Sequence, residues 1–362
     1  MRDLQIMLKP ASSLCNLRCD YCFYEAVAQN RSIPSYGIMT PETVQAVLVH
    51  IFCDLDPGDR ITFAFQGGEP TLAGLDFFRD FVCRVQRLNC DCEVFYQLQT
   101  NGTLLDDQWC AFLKEHAFLV GLSLDCLRSV HDRNRKDVAG NGTFDRVMET
   151  KEMLDGWKID YNVLATLTRD LAAEPEAVWA FLRQNRIMFA QFTPCFGNAP
   201  GALTPEDFAH FYEKLIFLWY DAWKRGTYIS VKLIDDLVTL LATGDQVTAC
   251  GLTGRCGPQI IVEAGGDVYP CDFYATDIWR IGNLRYLSIK SLYESPKQAQ
   301  FRCRTRQLPL CGNCRYKAIC GGNCPKMQKH ICYGEGDSLC GMQQLFDRCI
   351  GILLSVARQL RQ

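Results

Sequence analysis

The chain has little histidine: five residues in 362, at His50, His116, His131, His210 and His330, none clustered with another. A proton acceptor in this protein is therefore expected to be a carboxylate. Charge of one sign is lacking too. A formal net charge of -3 leaves no electrostatic footprint for nucleic acid, so a DNA or tRNA partner is disfavoured. No apolar run approaches membrane-spanning length, which argues against a membrane partner. The start, Met1 to Pro10, is too short and too charged for a signal peptide, so a cytoplasmic location is expected. Internal repeats and low-complexity segments are also missing, which removes solenoids and disordered tails.

Cysteine, by contrast, is abundant. There are 21, in a chain whose hydrophobic (48%) and charged (22%) fractions are those of an ordinary globular protein. An odd count, a long chain and no export signal argue against a disulfide framework, and metal binding accounts for them better.

Three of these thiols, Cys15, Cys19 and Cys22, stand within eight residues, and no fourth follows until Cys53. Structural zinc takes four protein ligands, and an iron-sulfur cube has four corners. Three thiolates leave one metal corner open for a small molecule. Ordinary core cysteines are the alternative, but polar Asn16, Arg18 and Asp20 between the thiols fit neither an apolar helix face nor an alternating strand.

Hydrophobic periodicity predicts strands over Leu4 to Leu8, Ile61 to Phe65, Val94 to Gln99, Leu119 to Leu124, Tyr161 to Thr166 and Met188 to Thr193. Helices are predicted over Pro41 to Cys53 behind the cap Thr40, Leu75 to Leu88, Asp106 to His116, Phe144 to Asp155 and Glu176 to Gln184. Such β/α units in series imply an α/β fold with a parallel sheet and helices outside it. Ligands of such sheets bind at the carboxyl ends of the strands. The three-thiol loop, Gln66-Gly67-Gly68-Glu69-Pro70, Thr100-Asn101-Gly102 and Asp125 all fall there and are expected to converge. In that mouth the glycine pair offers unobstructed backbone, Glu69 can accept from an ammonium group, and Tyr21 and Phe23 are placed to pack an adenine ring.

After a linker over Pro194 to Pro205, Thr204 caps a long helix running to the Gly226 stop, and a second helix covers Val231 to Thr243. Then come Cys250, Cys256 and Cys271, a run Cys311, Cys314, Cys320 and Cys324, and Cys340 ahead of a last helix over Gln343 to Leu360. Gln259 to Glu263 and Asp267 to Tyr269 read as a hairpin about Gly265-Gly266. Eight thiols suffice for two closed sites. Taken alone, the Cys-x2-Cys spacing favours zinc; beside an open cluster, iron-sulfur centres that move electrons are the more useful occupants.

Cys-x3-Cys-x2-Cys followed by Gly-Gly-Glu-Pro resembles the radical S-adenosylmethionine superfamily, and the later cysteines resemble its SPASM extension. More narrowly, Ile6 to Ser13, Cys22-Phe23-Tyr24, Phe63 to Gly74, Leu98 to Thr103, Asn134 to Asp137 and Val268 to Tyr274 are similar to the anaerobic sulfatase-maturating enzymes. The resemblance implies a partial (β/α)6 barrel over residues 1–196, a helical linker region over 197–249, a SPASM-type auxiliary iron-sulfur domain over 250–341 and a C-terminal helix over 342–362. It implies S-adenosylmethionine and three 4Fe-4S clusters as cofactors. Cys15, Cys19 and Cys22 would hold the cluster that binds S-adenosylmethionine. Cys250, Cys256, Cys271 and Cys324 would hold one auxiliary cluster, and Cys311, Cys314, Cys320 and Cys340 the other, with Cys332 as rival closing ligand and Cys303 as a further candidate. Cofactor contacts carried over are Tyr21, Gly67, Gly68, Glu69, Ser123, Arg135 and Phe196. Asp272, fixed by its neighbour Cys271, resembles the family's proton acceptor, and Tyr24 its neighbour near the substrate. Two departures stand out: Leu124-Asp125-Cys126 replaces Leu-Asp-Gly, and the linker from Gly197 to Leu203 is short.

The implied reaction is oxidation of a cysteine or serine side chain to Cα-formylglycine. The implied partners are an unfolded sulfatase polypeptide bearing a Cys/Ser-x-Pro-x-Arg-like motif and an electron donor such as flavodoxin or ferredoxin. Two alternatives remain at this level. One is a peptide maturase forming thioether or carbon-carbon crosslinks, against which stands the start of the cluster motif at Cys15, with no room for a preceding peptide-recognition domain. The other is a non-catalytic iron-sulfur or zinc protein, against which stands the open three-thiol site.

Overall fold

A computed structural model describes residues 2–244, 250–257, 259–303, 309–332 and 339–361. Two compact units are present, neither continuous in sequence: Met1–Ser123 with Arg135–Tyr161 and Pro258–Cys303, and Leu124–Asn134 with Asn162–Gly257 and Arg304–Gln362.

The first unit holds four parallel strands, Asp3–Lys9, Arg60–Phe65, Glu93–Thr100 and Leu119–Ser123, adjacent in that order. Each lies where the apolar runs predict it. The helix Pro41–Phe52 buries Val44, Val47, Leu48 and Ile51, an i, i+3, i+4, i+7 stripe, and the Thr40 hydroxyl accepts from the Thr43 N–H at its start. The helix Leu75–Leu88 buries Phe78, Phe81, Val82 and Val85. Between strands and helices, Phe63, Phe65, Phe81 and Phe118 meet with ring centroids 5.0 to 6.2 Å apart. These rings form the apolar floor beneath the strand ends.

The hairpin near the glycine pair is present, with Ile261 opposite Tyr269 and Val262 opposite Val268. Gly266 makes its turn at φ +85°, a left-handed value that favours glycine. What hairpin reasoning omits is the other edge of this strand. Ile260–Glu263 pairs in parallel with Asp3–Lys9, from Ile6 opposite Ile260 to Lys9 opposite Glu263. All four of its residues are buried, as expected of a strand flanked on both sides. Residues some 250 positions apart thereby become neighbours at the end of the first strand.

In the second unit, Tyr161–Leu167 and Phe189–Pro194 pair in parallel, followed by the short Ser230–Val231. The helix Pro205–Lys224 opens with a reciprocal capping box between Thr204 and Asp207 and buries Phe208, Phe211, Leu215 and Trp219. The helix Gly341–Gln359 packs against it, and Lys232–Thr243 packs against Gly341–Gln359. Gly341 permits one close crossing: a Cβ there would stand 2.6 Å from the carbonyl oxygens of Pro205 and Ile331.

Elements the periodicity does not reveal are short and polar: the helices Phe23–Gln29 and Arg128–Asn134, and the strand pair Leu17–Cys19 with Arg135–Asp137. Among the described residues, no helix is long and apolar enough to cross a membrane.

Candidate functional site

In the first unit, three sequence-distant pieces grip the three-thiol loop. The loop leaves Lys9 through a turn in which the Ser12 N–H donates to the Lys9 carbonyl, and Ser12 adopts φ +49°. Gly68 N–H donates to the Ser12 carbonyl (2.9 Å) and Glu69 N–H to the Leu14 carbonyl (2.8 Å). A Cβ on Gly68 would stand 2.1 Å from the Leu14 oxygen, and one on Gly67, itself at φ +134°, would stand 2.9 Å from the Ser12 oxygen. The glycines are thus required by the approach of two backbones, a constraint beyond exposing amides. Asn16 completes the hold: its amide donates to the Thr103 hydroxyl (2.8 Å) and its carbonyl oxygen accepts from Asn101 (2.9 Å). Antiparallel pairing sets Cys19 opposite Arg135. Cys22 stands at the N-terminal boundary of the helix Phe23–Gln29, its side chain making no capping bond.

The Leu17 N–H points at the Cys15 sulfur, 3.4 Å away. Burial pushes the Cys15 thiol up to about 11, and nearby Glu69 and Cys22 add to the effect against the Leu17 N–H. Thiols so placed ionise when a cation supplies the missing counter-charge, which suits an iron cluster.

Glu69 differs from its sequence expectation. It is buried, and its carboxylate already accepts four hydrogen bonds, from the Thr71 N–H and hydroxyl, the Thr100 hydroxyl (2.8 Å) and the Asn101 N–H (2.8 Å). Its observed work is to tie the glycine loop to the end of the third strand. The Phe23 ring packs on Phe273 with centroids 4.6 Å apart. Tyr21 is nearly buried with the Arg135 guanidinium 5.4 Å from its ring centroid, and the Ser123 hydroxyl accepts from Gln99 (3.0 Å).

Asp272 sits in the same unit, one residue past Cys271. Its Oδ1 is 2.5 Å from the Lys9 ammonium, and its Oδ2 is 3.4 Å from the Gln66 amide. The Lys9 ammonium lies 3.6 Å from the centre of the Tyr24 ring. The Tyr24 hydroxyl donates to Glu263, which also pairs with Arg31 at 2.5 Å and accepts from Ser12 at 3.0 Å. Burial, with the Glu263 carboxylate, holds the Tyr24 hydroxyl well above its ordinary range, so it remains a donor. Lys9, Arg31 and Glu263 are functional candidates that sequence reasoning passes over. For Lys9 and Glu263, a charged residue at the end of an apolar strand was the available signal; Arg31, in the loop after the helix Phe23–Gln29, had none.

In the second unit, the later cysteines fall into two neighbourhoods. Cys311, Cys314, Cys320 and Cys340 line one cavity together with Tyr316 and Phe346. Burial pushes the Cys320 thiol up to about 11, and the other three thiols of this set reinforce it. Cys324, four residues on, belongs elsewhere: with Cys256 it raises the Cys250 thiol, also pushed by burial to about 11. Gly251 would place a Cβ 2.8 Å from the Cys324 Cβ, so these two segments touch. Cys271 and Cys303 lie in the first unit. The side chain of Cys332 lies outside the described residues. Among the described residues, no three His, Cys, Asp or Glu side chains are gathered tightly enough to hold a metal ion as the chain stands. The sets are neighbourhoods and carry no coordination geometry.

Phe196 stacks on His330 within this unit, with centroids 6.1 Å apart. Cys126, where the family pattern has glycine, is buried and adopts φ +60°. The backbone there keeps a glycine-type conformation despite the side chain.

Residues 10–163 match the radical SAM superfamily and residues 255–315 an iron-sulfur cluster-binding domain, SPASM. The chain is 36% identical to a cysteine-type anaerobic sulfatase-maturating enzyme of Clostridium perfringens (strain 13 / Type A), over 90% of this chain and 89% of that one. It is 26% identical to a serine-type anaerobic sulfatase-maturating enzyme of Klebsiella pneumoniae, over 93% and 84%. It is also similar to a solved structure of native anSMEcpe with bound AdoMet and Kp18Cys peptide, with a TM-score of 0.90 and 34% identity over 99% of each chain.

Proposed function

The chain belongs to the anaerobic sulfatase-maturating enzymes, radical SAM oxidoreductases with a SPASM domain, and on that premise we propose that it converts a cysteine of a sulfatase polypeptide to Cα-formylglycine. The preference for cysteine over serine rests on the higher identity to the cysteine-type relative, 36% against 26%. The observation that carries the reading is the hold of Gly68, Glu69 and Asn101 on the three-thiol loop in the unit that also carries Asp272.

Cys15, Cys19 and Cys22 would hold the first cluster, with S-adenosylmethionine as its cosubstrate. By the family resemblance, Tyr21, Gly67, Gly68, Glu69, Ser123, Arg135 and Phe196 would contact that cofactor, with the Glu69 side chain also bracing the loop. By the same resemblance, Cys250, Cys256, Cys271 and Cys324 would hold one auxiliary cluster, and Cys311, Cys314, Cys320 and Cys340 the other. When bound, these groups supply a hydrogen-abstracting radical at the first site and electron acceptance at the other two. The chain's own work is orientation and proton transfer. The substrate cysteine loses one hydrogen atom from Cβ, passes its thiol proton to Asp272 and gives up one electron. The resulting thioaldehyde takes up water and releases hydrogen sulfide. In balance, the thiol-bearing methylene and one water become an aldehyde and hydrogen sulfide, with two hydrogens removed. Tyr24, held by Glu263, borders this path. We place the enzyme in the cytoplasm, where thiols stay reduced, with flavodoxin or ferredoxin as donor.

The test is anaerobic reconstitution with S-adenosylmethionine, a reductant and paired peptides bearing Cys-x-Pro-x-Arg or Ser-x-Pro-x-Arg, read by mass spectrometry with an aldehyde trap. Aldehyde from the cysteine peptide is expected, with less from the serine peptide. A crosslinked product without aldehyde overturns the reading in favour of a peptide-crosslinking maturase.

A further inference from the structure

Lys9 is the last residue of the strand Asp3–Lys9, between strand neighbours on both sides, and is fully buried. A buried ammonium at this place is costly unless it is paired. It is paired: 2.5 Å from Asp272 Oδ1 and 3.6 Å from the centre of the Tyr24 ring. Its stem packs against the glycine loop, with Cβ and Cγ 3.3 Å from where a Gly67 Cβ would stand. One side chain thus touches three residues singled out for the site, Gly67, Tyr24 and Asp272. Behind it, Tyr24 is fixed by its bond to Glu263, and Glu263 by Arg31 and Ser12, with the Arg31 and Glu263 side chains fully buried. Lys9 and Arg31 balance Asp272 and Glu263 in charge.

The two oxygens of Asp272 are not equivalent. Oδ1 has a short charge-assisted contact; among the described residues, Oδ2 has only the Gln66 amide at 3.4 Å, at the limit of a hydrogen bond. A carboxylate anchored at one oxygen has its rotamer fixed and presents the other.

We propose that Lys9 is a positioning residue: anchored by the Tyr24–Glu263–Arg31 network, it holds Oδ1 of Asp272 so that Oδ2 faces the side-chain proton of the substrate. This rests on the reading of Asp272 as proton acceptor. Lys9 touches neither proton nor substrate; it acts through the aspartate, and its loss disorders the acceptor without emptying the cofactor site.

The test compares the reconstituted enzyme with Lys9→Met and Lys9→Arg, measuring aldehyde per deoxyadenosine released, KM for the cysteine peptide, and iron content. Lys9→Met is expected to release deoxyadenosine at the wild-type rate with KM within about twofold, while aldehyde per deoxyadenosine falls at least about tenfold. Lys9→Arg, which keeps a charged donor, is expected to recover part of that coupling. Combining Lys9→Met with Asp272→Asn is expected to add no further loss, because both act on one step. Unchanged coupling in Lys9→Met, or an additive double variant, overturns the proposal. If Lys9→Met takes up less iron than wild type, Lys9→Arg decides, and coupling no better than in Asp272→Asn overturns it. Full aldehyde yield in Asp272→Asn would instead defeat the proton-acceptor reading and this proposal with it; a defective Asp272→Asn beside a normal Lys9→Met defeats this proposal alone.

Discussion

Gly68 and Leu14 come so close that a Cβ on the glycine would stand 2.1 Å from the leucine carbonyl oxygen. The contact is between two backbones, so no side-chain rotation relieves it. It locks the glycine loop to the loop carrying Cys15, Cys19 and Cys22.

Gly68→Ala is therefore expected to push the three-thiol loop away, at a cost of about 1–3 kcal/mol in stability. About a third of the bound iron should be lost with it, since one cluster of three is affected. Thermal denaturation and iron counting check this; wild-type iron with wild-type stability would mean that the loops can separate freely.

Glu69→Gln sets an amide donor among the donors that now meet the carboxylate, from Thr71, Thr100 and Asn101. A loss of about 2–3 kcal/mol is expected, visible as a lowered Tm even without cofactor. A carboxylate whose only work is to meet a ligand would leave that Tm unchanged.

Asp272→Asn keeps the shape of the side chain and removes its capacity to take a proton. Deoxyadenosine should still form, while aldehyde yield falls by about a hundredfold or more. Mass spectrometry of the peptide after a fixed deoxyadenosine release is the measurement, and full conversion would remove Asp272 from the mechanism.

Cys320 and Cys324 are four residues apart yet have different neighbours. Cys320→Ala combined with Cys340→Ala should cost no more iron than Cys320→Ala alone, about a third. Cys320→Ala combined with Cys324→Ala should cost about two thirds. Full iron in Cys340→Ala alone would point to Cys332 as the closing ligand.

Cys110 and Cys349 are fully buried thiols outside the cluster sets, and burial pushes each from 9.0 up to about 11. The unfolded chain ionises near pH 9 while the folded one stays neutral, so alkali favours unfolding. Their contribution to stability is complete below pH 9 and lost as pH rises from 9 to 11. Denaturant titrations across that range should show the decline, and Cys110→Val with Cys349→Val should lessen it, the rest coming from other buried thiols such as Cys195.

Much of this protein is legible without coordinates because its signals are local. Thr40 caps its helix and Thr204 builds its capping box because the bonding partners lie three residues away. Six apolar runs became strands near their expected bounds because the apolar pattern that marks each lies within its own few residues. The three-thiol loop is read in the same way, since its ligands share one turn of chain. Short polar elements escaped: Leu17–Cys19 and Arg135–Asp137 are strands only because each has the other.

Sequence alone determined the α/β order, the open three-cysteine motif and the family, because each is written within a few residues of itself. Tertiary structure decided that Cys311, Cys314, Cys320 and Cys340 line one cavity while Cys324 lies beside Gly251, that Glu69 braces a loop, and that Lys9 meets Asp272. Those outcomes depend on where distant segments return. Lys9 and Asp272 are 263 positions apart, and they touch because Ile260–Glu263 docks in parallel beside Asp3–Lys9 and its hairpin leads directly into the aspartate.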